Sequence, residues 1–236
     1  MNRLLDYPDI WLIGGGGKTT LMFKLAAAWA ERGERTICAT TTKIWIPTPE
    51  QCSDLRVGQF SDILAVLHDR PASLVTVANR IENGKCLGFS AEETFSLKTA
   101  CQRLVVEADG SAGRPVKGHA AHEPQIATGA ACVVAVVGSW CVGAPLDTEH
   151  VHRPERFSAI TGRPLGEPVA AADVAGVILG ETGWLSSVPA GAAFYVVVTG
   201  HDSEIASALA EHSNSNRLAG IYRCLHADGL LQAFFS

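Results

Sequence analysis

The sequence contains no apolar run of the length, about 18 residues, that a membrane-spanning helix requires, so no membrane partner is expected. Its first residues, Met1-Asn2-Arg3-Leu4-Leu5-Asp6, lack the long apolar core of a signal peptide. No Lys/Arg cluster exceeds two or three residues and the net charge is −5, which argues against a dedicated nucleic-acid surface. Seven cysteines are scattered without a C-x-x-C pair. Their odd number, with no export signal, favours reduced thiols in the cytoplasm. There are no repeats and no low-complexity segments. With 47% apolar and 18% charged residues, no long span reads as disordered.

What is present is concentrated near the start. Ile10-Trp11-Leu12-Ile13 reads as a buried strand, Gly14-Gly15-Gly16-Gly17 as a tight loop, and Lys18-Thr19-Thr20 as the opening of a helix. Glycines let a backbone wrap an anion and turn successive N–H groups toward it, and the helix that follows adds its partly positive N-terminus. Lys18 supplies a mobile full charge, and the Thr19 hydroxyl suits a phosphate-bridging Mg²⁺. The usual P-loop has a further glycine where Leu12 stands, so the loop here is the shorter Gly14–Thr20. An ordinary glycine-rich turn is the alternative, but a lysine at a helix start opposes the dipole unless an anion is near.

The rest of the chain alternates in the manner of a parallel sheet. A helix over Lys18–Arg32 places Leu21, Leu25, Ala28 and Trp29 on one face, and Thr36–Thr40 is a second strand, completing a βαβ unit. Thr40, Thr41, Thr42 and Lys43 follow at that strand's carboxyl end. They either face the same phosphates as Lys18 or simply end the strand with β-branched residues. Asp62–His68 reads as a short helix and Leu74–Ala78 as a strand. Asn83-Gly84 reads as a hairpin turn from that strand toward Cys86-Leu87-Gly88-Phe89, and 90–103 as a helix capped by Ser90. Cys38 and Cys132 sit inside strands as core residues.

Leu104 to Gly110 is the second informative stretch, an apolar strand ending in Glu107-Ala108-Asp109-Gly110. Acids at spacing two share one face of an extended chain, and a divalent cation would relieve their repulsion. A strand entering an Asp-Gly turn is the alternative. The loop after it gathers Arg114, Lys117, His119, His122 and Glu123, and a second polar cluster spans 147–155 with His150, His152 and Arg153. The spacings of His119/His122 and His150/His152 both occur in metal sites, but neither pair matches H-E-x-x-H and no cysteine set completes a structural zinc site, so loop histidines contacting phosphate or carboxylate are favoured over transition-metal ligands. Further strands are read at 132–138, 193–199 and 220–225, with or without 230–234 as an added one. Helices are read from Pro154 to Gly162, over 170–179, and from an Asp202 or Ser203 cap to His212.

Five motifs in this order resemble the YqeC family: the glycine loop with Lys18-Thr19-Thr20, Thr40–Lys43, Glu107–Ser111, His122-Glu123-Pro124, and Val151–Glu155. The resemblance runs from about Trp11 to Thr199. It implies a P-loop domain of accessory proteins for selenium-dependent, molybdenum-containing hydroxylases, with a client hydroxylase or its maturation machinery as partner. The family's Asn-Lys-x-Asp-like run after the last strand is reduced here to Thr199-Gly200-His201-Asp202, which leaves the base open.

The expected fold is therefore α/β: one domain over 1–236, doubly wound, with a mainly parallel sheet of P-loop NTPase type and loop insertions at strand carboxyl ends. A small insertion with a hairpin is expected within 45–103. The expected function is Mg²⁺-dependent nucleoside triphosphate binding and hydrolysis. Gly14, Gly15, Gly16, Gly17, Lys18, Thr19 and Thr20, with Thr41, Thr42 and Lys43, would bind the nucleotide. His122, Glu123, His152 and Arg153 would assist. Thr19, Glu107 and Asp109 would hold the metal; Lys18, the two acids, Arg114 and Lys117 would serve the chemistry. Competing functions are a small-molecule kinase, or a non-catalytic metal or cofactor carrier that senses nucleotide. A homo-oligomer is compatible with all three.

Overall fold

The structure is a computed structural model and describes residues 3–69, 73–201, 204–212 and 217–224, with the backbone of 231–235. In chain order, β1 (Asp9–Gly14), α1 (Lys18–Glu31) and β2 (Thr36–Thr40) form the first βαβ unit. β3 (Lys43–Trp45), β4 (Leu55–Val57), α2 (Phe60–Asp69), β5 (Leu74–Ala78), β6 (Arg80–Glu82), β7 (Lys85–Leu87) and α3 (Ala91–Ser96) follow. Then come β8 (Arg103–Glu107), β9 (Val116–Lys117), β10 (Cys132–Gly138), β11 (Val151–His152), α4 (Pro154–Thr161) and α5 (Ala171–Leu179). The chain closes with β12 (Ala193–Thr199), α6 (Glu204–His212), β13 (Leu218–Cys224) and β14 (Leu231–Phe235).

Among the described residues, nine strands form one sheet in the order β14-β13-β12-β10-β1-β8-β2-β5-β4, parallel except for β14. The expected doubly wound α/β architecture is present. Alternation along β1 explains the two layers. Trp11 and Ile13 point to a core shared with Ile63 and Leu67 of α2, Val174 and Val177 of α5, and Ile205 and Leu209 of α6. Ile10 and Leu12 point the other way, onto Leu21, Leu25 and Trp29 of α1, where Cys38 and Cys132 are also buried. The buried Trp11 indole donates to Asp9 Oδ1 at 3.0 Å, so its polar edge is satisfied at the sheet's amino end.

The order of strands places the site. β1 sends the chain through α1 to β2 on one side, whereas its neighbour β10 leads to β12 on the other. The point where the connections reverse therefore lies at the carboxyl ends of β1 and β10, where such sheets take ligands. No helix of the described residues is long and apolar enough to cross a membrane.

Two local expectations are corrected. The segment 90–103 is not one helix: α3 stops at Ser96, a 3-10 turn covers Leu97–Ala100, and Arg103 already belongs to β8. Its N-terminus is as expected, with Ser90 and Glu93 forming a capping box. The Asn83-Gly84 hairpin joins β6 to β7, not β5 to β7; β5 lies in the main sheet, and β3-β7-β6 make a separate three-stranded sheet. The Asp202/Ser203 cap, Leu225 and Leu230 lie outside the described residues.

Candidate functional site

The glycine loop uses some of its N–H groups to hold its shape and presents the others. Gly14 N–H donates to both oxygens of Asp109 (3.1 and 2.9 Å), Gly15 N–H to Val136 O (2.8 Å), and Gly16 N–H to Arg114 O (3.1 Å). Among the described residues, no acceptor is found for the N–H groups of Gly17, Lys18, Thr19 and Thr20. They open a helix of 14 residues, where partial positive charge accumulates. Gly14, Gly16 and Gly17 have φ of 94°, 68° and 110°, a left-handed backbone that side chains resist. A Cβ at Gly16 would also collide with the Gly138 nitrogen, so the loop is pressed against the end of β10.

Directly beneath, Lys18 is buried between two acids. Its ammonium donates to Gly14 O and lies 3.1 Å from Asp109 Oδ1 and 3.7 Å from Glu107 Oε1. The Thr19 hydroxyl donates to Glu107 Oε2 at 2.6 Å. Glu107 and Asp109 do share one side of the chain, and Lys18 fills the place between them. Burial acts against the ammonium, but the charges of Asp109 and Glu107 outweigh it and raise the Lys18 pKa. Burial, with the neighbouring Asp109 charge, pushes Glu107 above the usual glutamate value despite Lys18 and Thr19. Asp109 goes the other way. Burial would raise it, yet Lys18, the His119 hydrogen bond and Lys117 hold it well below the ordinary carboxylate range.

Asp109 is also the hub of a second set of charges. His119 Nε2 lies 2.7 Å from its Oδ2, and the imidazole stacks on Trp184 with centroids 5.1 Å apart. The fully buried Lys117 ammonium lies 3.5 Å from Asp109, donates to Gly110 O, and meets Glu123 Oε2 at 2.7 Å. Arg153 closes the chain of pairs with two bonds to Glu123, at 2.5 and 3.3 Å. Burial lowers the Lys117 pKa against the pull of Asp109 and Glu123. Glu123 would be raised by burial but is brought down to about 2 by Arg153 and Lys117. Burial, with Arg153 and Lys117 nearby, lowers His152. The ribbon β9–β11 fixes this geometry, pairing Lys117 with His152.

The other expected residues divide. Thr41 N–H donates to Glu107 O at 3.1 Å, Thr42 N–H to Thr40 Oγ1 at 3.0 Å, and the Thr42 hydroxyl lies beside Gly110. Both therefore stand at the rim of the acid pair. Thr20 is exposed on the first turn of α1 and borders a shallow groove with Phe23, Lys24, Ala27, Glu50 and Gln51. Arg114 touches the loop through its carbonyl, while its guanidinium donates to Thr148 O at 2.8 Å. Lys43 and His122 are exposed, and no contact among the described residues joins them to the Lys18 cluster. Nor does any group of three or more His, Cys, Asp or Glu among those residues gather to hold a metal.

Two participants escape a reading by motif. Trp184 donates to Lys117 O at 3.3 Å and packs on Gly14, and Thr199 Oγ1 donates to Gly16 O at 2.6 Å. Both come from parts of the chain far from the loop; nothing local in the sequence marks Trp184, and Thr199 stands out only as the start of the reduced run after the last strand. The comparisons agree with the family resemblance. The profile of the YqeC protein family matches residues 10–155. A protein of Escherichia coli (strain K12) named "Uncharacterized protein YqeC" is 32% identical over 188 residues, 77% of this chain and 72% of that one.

Proposed function

The chain belongs to the YqeC family, and we propose that it binds and hydrolyses a nucleoside triphosphate with Mg²⁺ at the head of α1. One observation carries this: four undonated N–H groups, Gly17 to Thr20, open a helix at the point where Lys18, Thr19 and Glu107 meet. That combination suits an anion of several charges better than it suits water. The N–H groups would take the β- and γ-phosphates, and Lys18 would exchange Gly14 O for a phosphate oxygen.

The donor set fits the metal. Thr19 and Glu107 offer hard oxygens 2.6 Å apart, and Mg²⁺ commonly rests on one or two protein oxygens with phosphate and water completing its shell. When bound there, Mg²⁺ would neutralise charge on the phosphates. Glu107, not Asp109, is its proposed acid, because Asp109 is committed to Gly14, Lys18, Lys117 and His119. Asp109 accordingly holds the loop and aligns Lys18. The client, a molybdenum hydroxylase or its maturation machinery, is proposed on the family resemblance alone. The cytoplasmic setting is proposed from the buried thiols of Cys38, Cys52, Cys86 and Cys132.

Calorimetry of a nucleotide panel with Mg²⁺, alongside phosphate release, tests the proposal. Wild type is expected to bind at least one triphosphate and release phosphate. Lys18→Ala should lose about 1.5–3 kcal/mol of binding, the worth of a charge-assisted contact. No binding by wild type to any nucleotide of the panel would overturn it.

A further inference from the structure

Trp140 is a large apolar side chain left 55% exposed at the carboxyl end of the sheet, in the turn that follows β10. One glycine makes room for it and a second borders it. A Cβ at Gly138 would stand 2.6 Å from the indole six-membered ring, and one at Gly200 would stand 3.5 Å from Cε3. Gly138 ends β10 and leaves the space that the indole fills, while Gly200 follows β12 and borders the indole at ordinary contact distance, a Cβ there meeting Ser139 Oγ first, at 2.4 Å. The same two strand ends hold the glycine loop. Gly16 is pressed on Gly138, and the Thr199 hydroxyl, one residue before Gly200, donates to Gly16 O at 2.6 Å. One side of the indole thus rests on backbone that is continuous with the phosphate loop, and much of its surface remains open to solvent.

We propose that the open side of Trp140 is the platform on which the nucleotide's base stacks. The proposal rests on the phosphate reading of the loop and adds the subsite for the base. A flat π-surface fixed by close backbone contact takes any nucleobase by stacking, without reading its hydrogen-bonding edge. This agrees with the run after β12, Thr199-Gly200-His201, in which glycine stands beside the indole.

The experiment compares wild type, Trp140→Ala and Trp140→Phe by calorimetry with Mg²⁺, using ATP, GTP and inorganic tripolyphosphate as probes, with circular dichroism verifying the fold. Wild type should bind a nucleoside triphosphate more tightly than tripolyphosphate. Trp140→Ala should weaken the nucleoside triphosphate by about 5- to 150-fold and leave tripolyphosphate unchanged. Trp140→Phe should restore most of the difference. Tripolyphosphate bound as tightly as nucleotide by wild type, or nucleotide affinity unchanged in Trp140→Ala, would overturn the base subsite and leave the phosphate site standing. Wild type that binds none of the three probes would remove the phosphate site, and the base subsite with it.

Discussion

Glu107 carries two demands that pull its proton in opposite directions. In the protein as folded, burial and the neighbouring Asp109 charge favour its neutral form. As the proposed ligand for Mg²⁺ it would have to be ionised. Metal binding would therefore displace a proton wherever the carboxyl is still protonated, that is, below its raised pKa. The sign is opposite for folding: a carboxyl whose pKa is raised by folding costs stability as pH climbs from the ordinary glutamate value to the raised one, and the cost is complete above it. Mg²⁺-dependent nucleotide affinity is accordingly expected to increase with pH, by at most about tenfold per unit, and then to level off. Glu107→Gln should bind more weakly and lose this slope. Calorimetry across pH in two buffers of different ionisation heat measures the released proton directly. A slope that survives in Glu107→Gln would mean another group titrates.

At the scale of the element, the strand–loop–helix unit depends on close approach to β10 as much as on left-handed backbone. Gly16 and Gly17 both have positive φ, so alanine at either is strained, by about 1–3 kcal/mol. Only Gly16 faces backbone: its Cβ would strike the Gly138 nitrogen, while nothing lies near Gly17. Gly16→Ala is therefore expected to be clearly less stable than Gly17→Ala in urea denaturation. Equal losses would mean that the loop can lift from β10 at little cost. Much of this unit was legible because β1, β2, β10 and β12 are buried on both faces and so write continuous apolar runs. The hairpin arm Arg80–Glu82 is exposed throughout and has only Ile81 as apolar signal, so β5 was the more visible partner for β7. The 90–103 error has a similar origin. Leu97 and Ala100 keep helical spacing although the turn there is 3-10, and Arg103 enters a strand where its guanidinium bonds Tyr7 O at 2.8 Å and pairs with Glu34. Such partners lie far along the chain, and periodicity cannot register them.

For the whole molecule, the acids and bases of the site make one connected system spanning residues 14 to 153, and this follows from strand order. Placing β8 beside β1 brings Asp109 under Gly14, and the β9–β11 pairing brings Lys117 and Arg153 to Glu123. The order itself was not legible, since it depends on pairings between distant segments. It has a physical consequence. Lys18, Lys117 and His119 share one carboxylate, so if a phosphate draws Lys18 away, Asp109 must compensate through the other two. Lys117 is fully buried and paired to Glu123, which in turn holds Arg153 at the head of α4. Nucleotide binding should therefore tighten the β9–β11 ribbon as well as the glycine loop. Hydrogen exchange with and without Mg²⁺ and nucleotide is expected to show slowed exchange at 14–21, 114–119 and 147–153 together. Arg153→Ala removes the distal end of the system without touching the loop. It should leave protection at 14–21 intact and abolish the change at 147–153. If both regions respond as in wild type, the charge chain does not transmit, and the ribbon is only a scaffold for Lys117 and His119.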